Sequence, residues 1–550
     1  MASPNIPPGS QLSALAGSYP NRPYSFLHDQ REPHRRASTA EMQDGAGELL
    51  EPAARPTHTA VPTYGALYQD ESSKRPPASP DVAENASCNW PSHHWEVGSL
   101  TRLATPVVLA YLLQRSIDIT SVFSLGHLGA SELAASALGT MYNSVTGWSV
   151  ALGMATALDT LGSQAFTASR DPYALGVYLQ RAMLILLVMS VPIAVIWWFA
   201  EGILLALGQN PELSALSSLF IRWSLPSLIP YLMFECMKRY LQAQGIMHAG
   251  TYILMITSPI NVLANYLLVW WPPISLGFIG APIATSFTHW LNLLLSVLYV
   301  RYVQGGACWG GFSRDALRNW GQFLRLGLAG MALICSEWWA FEVVALAAGY
   351  LGTIPLAAQS VVLTSATITY MIPAGISITA CNRIGNALGR KHANRAKLAT
   401  HGALLLALAV STFNTSLILV FKDDWGYLFN SDPEVVALVS KILPIAALFQ
   451  IGDVFGGVGG GILRGTGQQH LGAYLTMFGY YTVSLPVGIY LTFVLDMGLA
   501  GLWWGLCVAL FIVAAGEVWA ILRLDWDEQV VRCQERIQHE DAYEEETCVV

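Results

Sequence analysis

Residues 97–522 read as an all-α membrane protein of twelve transmembrane helices, built as two six-helix lobes related by a parallel internal repeat. Three observations predict this fold. The composition is too apolar for a water-soluble body, twelve apolar stretches recur between short polar breaks, and one residue pattern returns at a constant offset.

Of the 550 residues, 53% are hydrophobic and 12% charged, and the mean hydropathy is +0.42. Soluble domains carry about 25% Asp, Glu, Lys and Arg. The charges also concentrate in the first 96 and the last 30 residues, so the middle must be solvated largely by lipid. Eighteen Trp and 22 Tyr agree, because amphipathic rings favour the bilayer interface. There is no basic patch to suit a nucleic acid. The eight cysteines stand singly, outside any C-x-x-C or Cys/His cluster, which predicts small apolar fillers rather than a zinc site or disulfide framework.

Residues 1–96 are rich in Pro, Ser, Ala and charge and lack apolar periodicity, which predicts a disordered cytoplasmic tail. Within it, Arg35-Arg36-Ala37-Ser38 resembles a basophilic kinase site, and Tyr24-Ser-Phe-Leu27 and Tyr64-Gly-Ala-Leu67 resemble tyrosine sorting motifs. Asn85-Ala-Ser87 is a sequon, usable only in a lumenal tail. The N-lobe, 97–303, holds spans at 103–126, 133–158, 178–200, 213–236, 249–271 and 278–302. A basic linker, 304–321, precedes the C-lobe, 322–522, with spans at 322–350, 355–382, 399–421, 434–462, 471–495 and 498–522. Each is long enough for a hydrocarbon core of about 30 Å at about 1.5 Å per residue. Spans 2, 8 and 10 are rich in small residues, which suits close packing inside the bundle. An acidic cytoplasmic tail, 523–550, follows.

Basic residues set the orientation. Arg170, Lys238, Arg239, Arg301, Arg314, Arg318, Arg383, Arg390, Lys391, Arg395, Lys397 and Arg464 fall in breaks on the side of the tails, and Lys422 on the other. The asymmetry predicts that both termini are cytoplasmic.

Gly126-His-Leu-Gly129 with Leu133-Ala-Ala135 returns as Gly349-Tyr-Leu-Gly352 with Leu356-Ala-Ala358, an offset of 223 (349 − 126). Gly245, His248, Gly250 and Tyr252 return as Gly467, His470, Gly472 and Tyr474, at 222 (467 − 245). The unit contains an even number of spans, so the two halves enter the membrane in the same sense. Transporters with parallel repeats bind substrate near the midplane between the halves.

The same residues resemble the multidrug and toxic compound extrusion (MATE) transporters, eukaryotic (fungal-like) branch. Gly126-His-Leu-Gly129, the segment from Ala151 to Phe166, and Leu241-Gln-Ala-Gln-Gly245 look like its N-lobe signatures. Glu337-Trp-Trp-Ala-Phe-Glu342, Arg383-Ile-Gly-Asn-Ala-Leu-Gly389 and Leu463-Arg-Gly-Thr-Gly-Gln-Gln469 look like its C-lobe ones. Ser163 stands where the family usually has Gly, and Asp159 where it usually has Glu. The resemblance covers about 98–522 and implies a monomeric exporter of small organic cations, drugs or metabolites, driven by protons or, as the lesser alternative, sodium, with no cofactor besides that ion.

A carboxylate inside lipid is costly unless paired, hydrated or protonated, which makes Glu337, Glu342 and Asp453 candidate ion and substrate sites. The resemblance implies proton coupling at Glu337 and Asp453, and Asp118 stands near the first-helix Asp of bacterial relatives, with Arg115 one turn before it. Asp159 reads as a gate or helix-end partner, and Glu517 and Arg222 as structural ion partners. Trp338, Trp339, Phe341, Tyr370, Tyr480 and Tyr481 are cavity aromatic candidates that can stack on a flat cation. No phosphate-binding G-x-x-x-x-G-K-[ST] is present, which argues against ATP as the driver. A lipid or lipid-linked-precursor flippase of the same superfamily is the alternative, and would need several cavity Arg or Lys. A polytopic membrane enzyme would need a His/Asp cluster at one membrane face, and the expectation is a non-enzyme. The sequence leaves the membrane open between plasma membrane and vacuole or another endomembrane.

Overall fold

The computed structural model describes residues 93–548. The kinase-like, tyrosine and sequon motifs of the first tail lie outside the described residues. Twelve long helices follow one another with short connections, so neighbours run antiparallel. They are α1 (His93–Gly126), α2 (130–168), α3 (Ala174–Trp198), α4 (Pro211–Ala243), α5 (Ala249–Trp270), α6 (Gly277–Tyr302), α7 (Trp320–Tyr350), α8 (Thr353–Gly389), α9 (Ala393–Phe421), α10 (Pro433–Thr466), α11 (Gln469–Val494) and α12 (Leu499–Leu522). A last helix, α13 (Trp526–Cys548), lies beyond them. The helix α1 begins, and α2, α4, α8, α10 and α12 end, at one face, here termed the tail side.

Ten of the twelve are long and apolar enough to cross a membrane on length and composition. The other two, α2 and α4, depart for physical reasons. The second half of α2 is rich in Ala, Gly, Ser and Thr and is almost wholly buried against other helices, so it needs little apolarity of its own. The helix α4 carries Glu235, Lys238 and Arg239 inside its last third, where Glu235 and Asp159 of α2 neutralise the two cations.

Several sequence expectations need correcting. Lys238, Arg239, Arg383 and Arg464 are not break residues, because α4, α8 and α10 continue one to two turns past their apolar stretches. The first tail gives way to helix at His93, and Glu96 is buried as the partner of Arg383 on α8, with Arg383 also stacked over Trp95. The linker is docked rather than free: Cys308 and Ala316 are buried, Gln180 of α3 donates to Gly311 O at 2.8 Å, and Arg181 donates to Asp315 O at 3.2 Å. The second tail is helical over Trp526–Cys548 and packs on the tail side, with Cys533 and Ile537 buried.

The repeat is visible in the backbone. Both α4 and α10 start with proline behind a side-chain cap, Asn210 and Asp432 accepting from the amides of Glu212 and Glu434 at 2.9 Å. Both run into a glycine of positive φ, Gly245 at 82° and Gly467 at 76°, a conformation that other residues adopt only under strain. One apolar core centres on Leu158, Tyr240 and Trp197 of the first half, joined by Phe323 and Leu326 of α7, and another on Phe449, Trp503 and Tyr480 of the second. Single π-helical turns interrupt α2 at Ser144–Trp148 and α11 at Phe478–Ser484, a feature frequent beside functional sites.

Candidate functional site

Asp453 sits mid-way along α10, in the run Gly452-Asp-Val-Phe-Gly-Gly-Val-Gly-Gly-Gly461, and is buried. Residues three and four further on share its face of the helix. These are Gly456, beside which a Cβ would meet nothing within 4 Å, and Gly457, where a Cβ would come within 3.1 Å of the Tyr370 ring. The glycines thus leave open space next to the carboxylate. Glu337 on α7 reaches the same region, within electrostatic range of Asp453, Tyr370 and Tyr480. Neither Glu337 nor Asp453 has a hydrogen-bond or ion-pair partner among the described residues. Glu342, five residues on and so about 140° round the helix, has no charged partner among them either.

The aromatic candidates divide. Tyr480 is fully buried with its hydroxyl unpartnered, and Phe341 packs on Tyr480 and Phe449 with ring centroids about 6 Å apart. Trp338, Trp339 and Tyr481 keep a third or more of their surface exposed, although Trp339 is tethered by its indole N–H to Val145 O at 3.0 Å. Toward the tail side, Arg464 donates to Ser377 Oγ at 2.9 Å and has Glu517, fully buried, in electrostatic range.

The first half holds a different arrangement, most of which sequence reasoning missed. Asp159 pairs with Arg239 Nε at 3.2 Å, and Arg239 Nη1 bonds Glu235 at 2.8 Å. Lys238 Nζ pairs with Glu235 Oε1 at 2.6 Å and donates to Gln114 Oε1 at 2.9 Å, and Gln114 donates back to Glu235 at 3.1 Å. All four charges are buried, and they sum to zero. The signal was present as Glu235-x-x-Lys238-Arg239, a spacing that aligns acid and bases on one helix face. Asp118 pairs with Arg115 at 3.1 Å, both about half exposed. Arg222 pairs with Glu201 at 3.3 Å.

Contacts between the halves gather toward the tail side. Thr160 donates to Arg464 O at 2.7 Å, Gln164 to Gly465 O at 2.9 Å, Thr167 to Asn386 O at 3.0 Å, and Asn386 to Ala243 O at 3.2 Å. The Glu96–Arg383 pair adds a link from α1 to α8. Packing of α7 against α2 is carried by residues 144–168, with Gly330 set against Thr156 and Gly153 against Met331.

The MatE family profile matches the chain twice, over 106–267 and 331–490, once in each half. An uncharacterised transporter of Schizosaccharomyces pombe is 43% identical over 470 residues, covering 85% of this chain and 86% of that protein. Multidrug and toxin extrusion protein 1 of Danio rerio is 38% identical over 432 residues, 78% of this chain and 73% of that protein. Among solved structures, the eukaryotic MATE transporter AtDTX14 superposes with a TM-score of 0.77 at 28% identity, over 81% of this chain and 99% of that one. A Vibrio cholerae MATE transporter in its bent form shares the fold, with a TM-score of 0.68 at 18% identity, over 82% of this chain and 99% of that one. With both halves matched in order and twelve helices in the expected layout, the chain is an integral, multi-pass membrane protein that belongs to the MATE family of transporters.

Proposed function

We propose that this protein is a secondary active antiporter that moves small organic cations, drugs or metabolites out of the cytoplasm in exchange for protons. The observation that carries the reading is that Glu337 and Asp453, two carboxylates without a hydrogen-bond or ion-pair partner among the described residues, lie within electrostatic range of each other, with Arg464 in range of Glu337, beside the space that Gly456 leaves open. Two carboxylates in one low-dielectric space repel, and either a proton or an organic cation relieves that repulsion. Proton and substrate then compete for one site, which is the requirement for exchange. The exposed rings of Trp338 and Tyr481 supply flat surfaces for a cationic aromatic molecule.

In this reading the tail side is cytoplasmic, the halves are closed there, and the site opens to the opposite side. Substrate release outward is followed by proton entry and rocking of the lobes about their repeat axis. The site residues are Glu337 and Asp453 for coupling, while Asp159 pairs with Arg239 within the first lobe, next to the tail-side bonds that Thr160 and Gln164 make across to α10. The flippase alternative loses support, because Arg115 and Arg222, like Lys238 and Arg239, are paired with acids, Lys441 is exposed, and Arg464 has Glu517 and Glu337 in electrostatic range. The protein acts as a monomer surrounded by lipid, in the plasma membrane or an acidic endomembrane.

Proteoliposomes with an imposed pH gradient test this. Exchange of a fluorescent organic cation should follow the proton gradient and stop when it is collapsed. Transport indifferent to the collapse of both proton and sodium gradients would overturn the reading.

A further inference from the structure

The buried charges of the first half occupy a meaningful place in the repeat. At the offset of 222 that relates α4 to α10 (467 − 245), Glu235, Lys238 and Arg239 stand where α10 has Gly457, Gly460 and Gly461, and Tyr231 stands where it has Asp453. At the offset of 223 that relates α1 to α7 (349 − 126), Gln114 stands where α7 has Glu337. In the N-lobe, therefore, a tyrosine stands in place of Asp453, and the counterpart of Glu337, Gln114, accepts a hydrogen bond from the ammonium of Lys238.

The surroundings of that ammonium are those of a cation-binding cage. Lys238 Nζ lies 2.6 Å from Glu235 Oε1 and 2.9 Å from Gln114 Oε1. It lies 5.4 Å from the centre of the Tyr111 ring and 5.3 Å from that of Phe234. A carboxylate, an amide oxygen and two ring faces are what a primary ammonium needs once it has left water. Gln114 is itself oriented by its bond to Glu235 at 3.1 Å, and the Lys238 stem runs past Gly250, where a Cβ would come within 3.5 Å of Cδ. Both Lys238 and Glu235 are more than nine-tenths buried.

We propose that this cage is a second cation site, specific for a primary alkylammonium group and permanently occupied by the protein's own Lys238. One lobe carries its cation as a side chain, and the other exchanges one. The cage rests on its own geometry, and the contrast with the exchanging lobe rests on the function proposed above.

Lys238→Ala removes three carbons and the ammonium, so n-propylammonium is the matching probe. In purified full-length Lys238→Ala protein, propylammonium should raise the melting temperature saturably at millimolar concentration, and by clearly more than it does in wild type. Propanol, of the same length without charge, should not do so. Glu235→Gln with Lys238→Ala removes the matched charges together and should accumulate without the probe and lose the response. An equal shift in wild type, an equal effect of propanol, or a response that survives Glu235→Gln would overturn the proposal. Should Lys238→Ala fail to accumulate, propylammonium in the growth medium should restore it. Continued absence of the single variant there, with the double variant present, would equally overturn it. The measurement reads binding without transport. Repeated in a Glu337→Gln background it should be unchanged, which separates it from the coupling assignment.

Discussion

Thr160 on α2 donates its hydroxyl to the backbone carbonyl of Arg464 on α10 at 2.7 Å, and Gln164, one turn on, repeats the bond to Gly465 at 2.9 Å. These bonds join one half of the repeat to the other, so they must break if the lobes part at the tail side. Neutral hydrogen bonds contribute about 1 kcal/mol each. Thr160→Val with Gln164→Leu should therefore favour the parted state by roughly tenfold or more. The check is the alkylation rate of a cysteine placed at Thr167, which should rise; an unchanged rate would show that these bonds do not hold the closure.

Arg239 is the one cation of α4 that bonds both Asp159 and Glu235. Arg239→Ala leaves buried negative charge uncompensated, at a cost of about 3–5 kcal/mol. The variant should accumulate poorly in membranes. Adding Asp159→Asn should recover much of the loss, because the excess charge goes with it, and strictly additive effects would mean that the pair is not coupled.

The glycines of α10 separate space from packing. A Cβ at Gly456 meets nothing within 4 Å, whereas one at Gly461 meets Ser377 Cα at 2.8 Å. Gly461→Ala should lower stability by about 1–3 kcal/mol through overpacking. Gly456→Leu should leave the melting temperature nearly unchanged while suppressing cation exchange by filling the space beside Asp453. Normal exchange in folded Gly456→Leu protein would show that this space is not on the substrate route.

Much of the architecture was legible because lipid imposes it. Apolar length marked ten of the spans clearly, α2 and α4 less so, and the offset of the Gly245 and Gly467 clusters marked the duplication, which the two family matches bear out. Glu337 and Asp453 stood out because acids are rare inside spans. Lys238 and Arg239 looked like loop residues for the same reason, since charge ends an apolar window. What neutralises Arg239 is Asp159, on another helix, and a linear pattern cannot show such a pairing. The joining of Glu96 to Arg383 and the docking of α13 were hidden in the same way.

The helix α13 ties itself to the tail side through Arg536 to Thr466 O at 2.9 Å, Gln534 to Gly389 O at 3.0 Å and Gln468 to Gln529 at 3.0 Å. Ile537 joins the apolar core of the first half, while Cys533 joins one in the second. Ile537→Asp buries a charge without a partner and should cost several kcal/mol. Thermal unfolding of the purified protein should shift down clearly for Ile537→Asp and little for Arg532→Ala, whose partner Glu528 is exposed. Equal shifts would mean that α13 is not seated as described.

The central claim is that Glu337 and Asp453 exchange protons for cations. The most direct measurement is pH-driven cation exchange in proteoliposomes by Glu337→Gln and Asp453→Asn, each verified as folded and inserted. Glutamine and asparagine keep volume and hydrogen bonding but cannot ionise. Both variants should lose exchange driven by the pH gradient while retaining a wild-type melting profile. Wild-type turnover and pH dependence in folded Glu337→Gln protein would contradict the assignment and move the coupling site toward Asp118 in the first lobe.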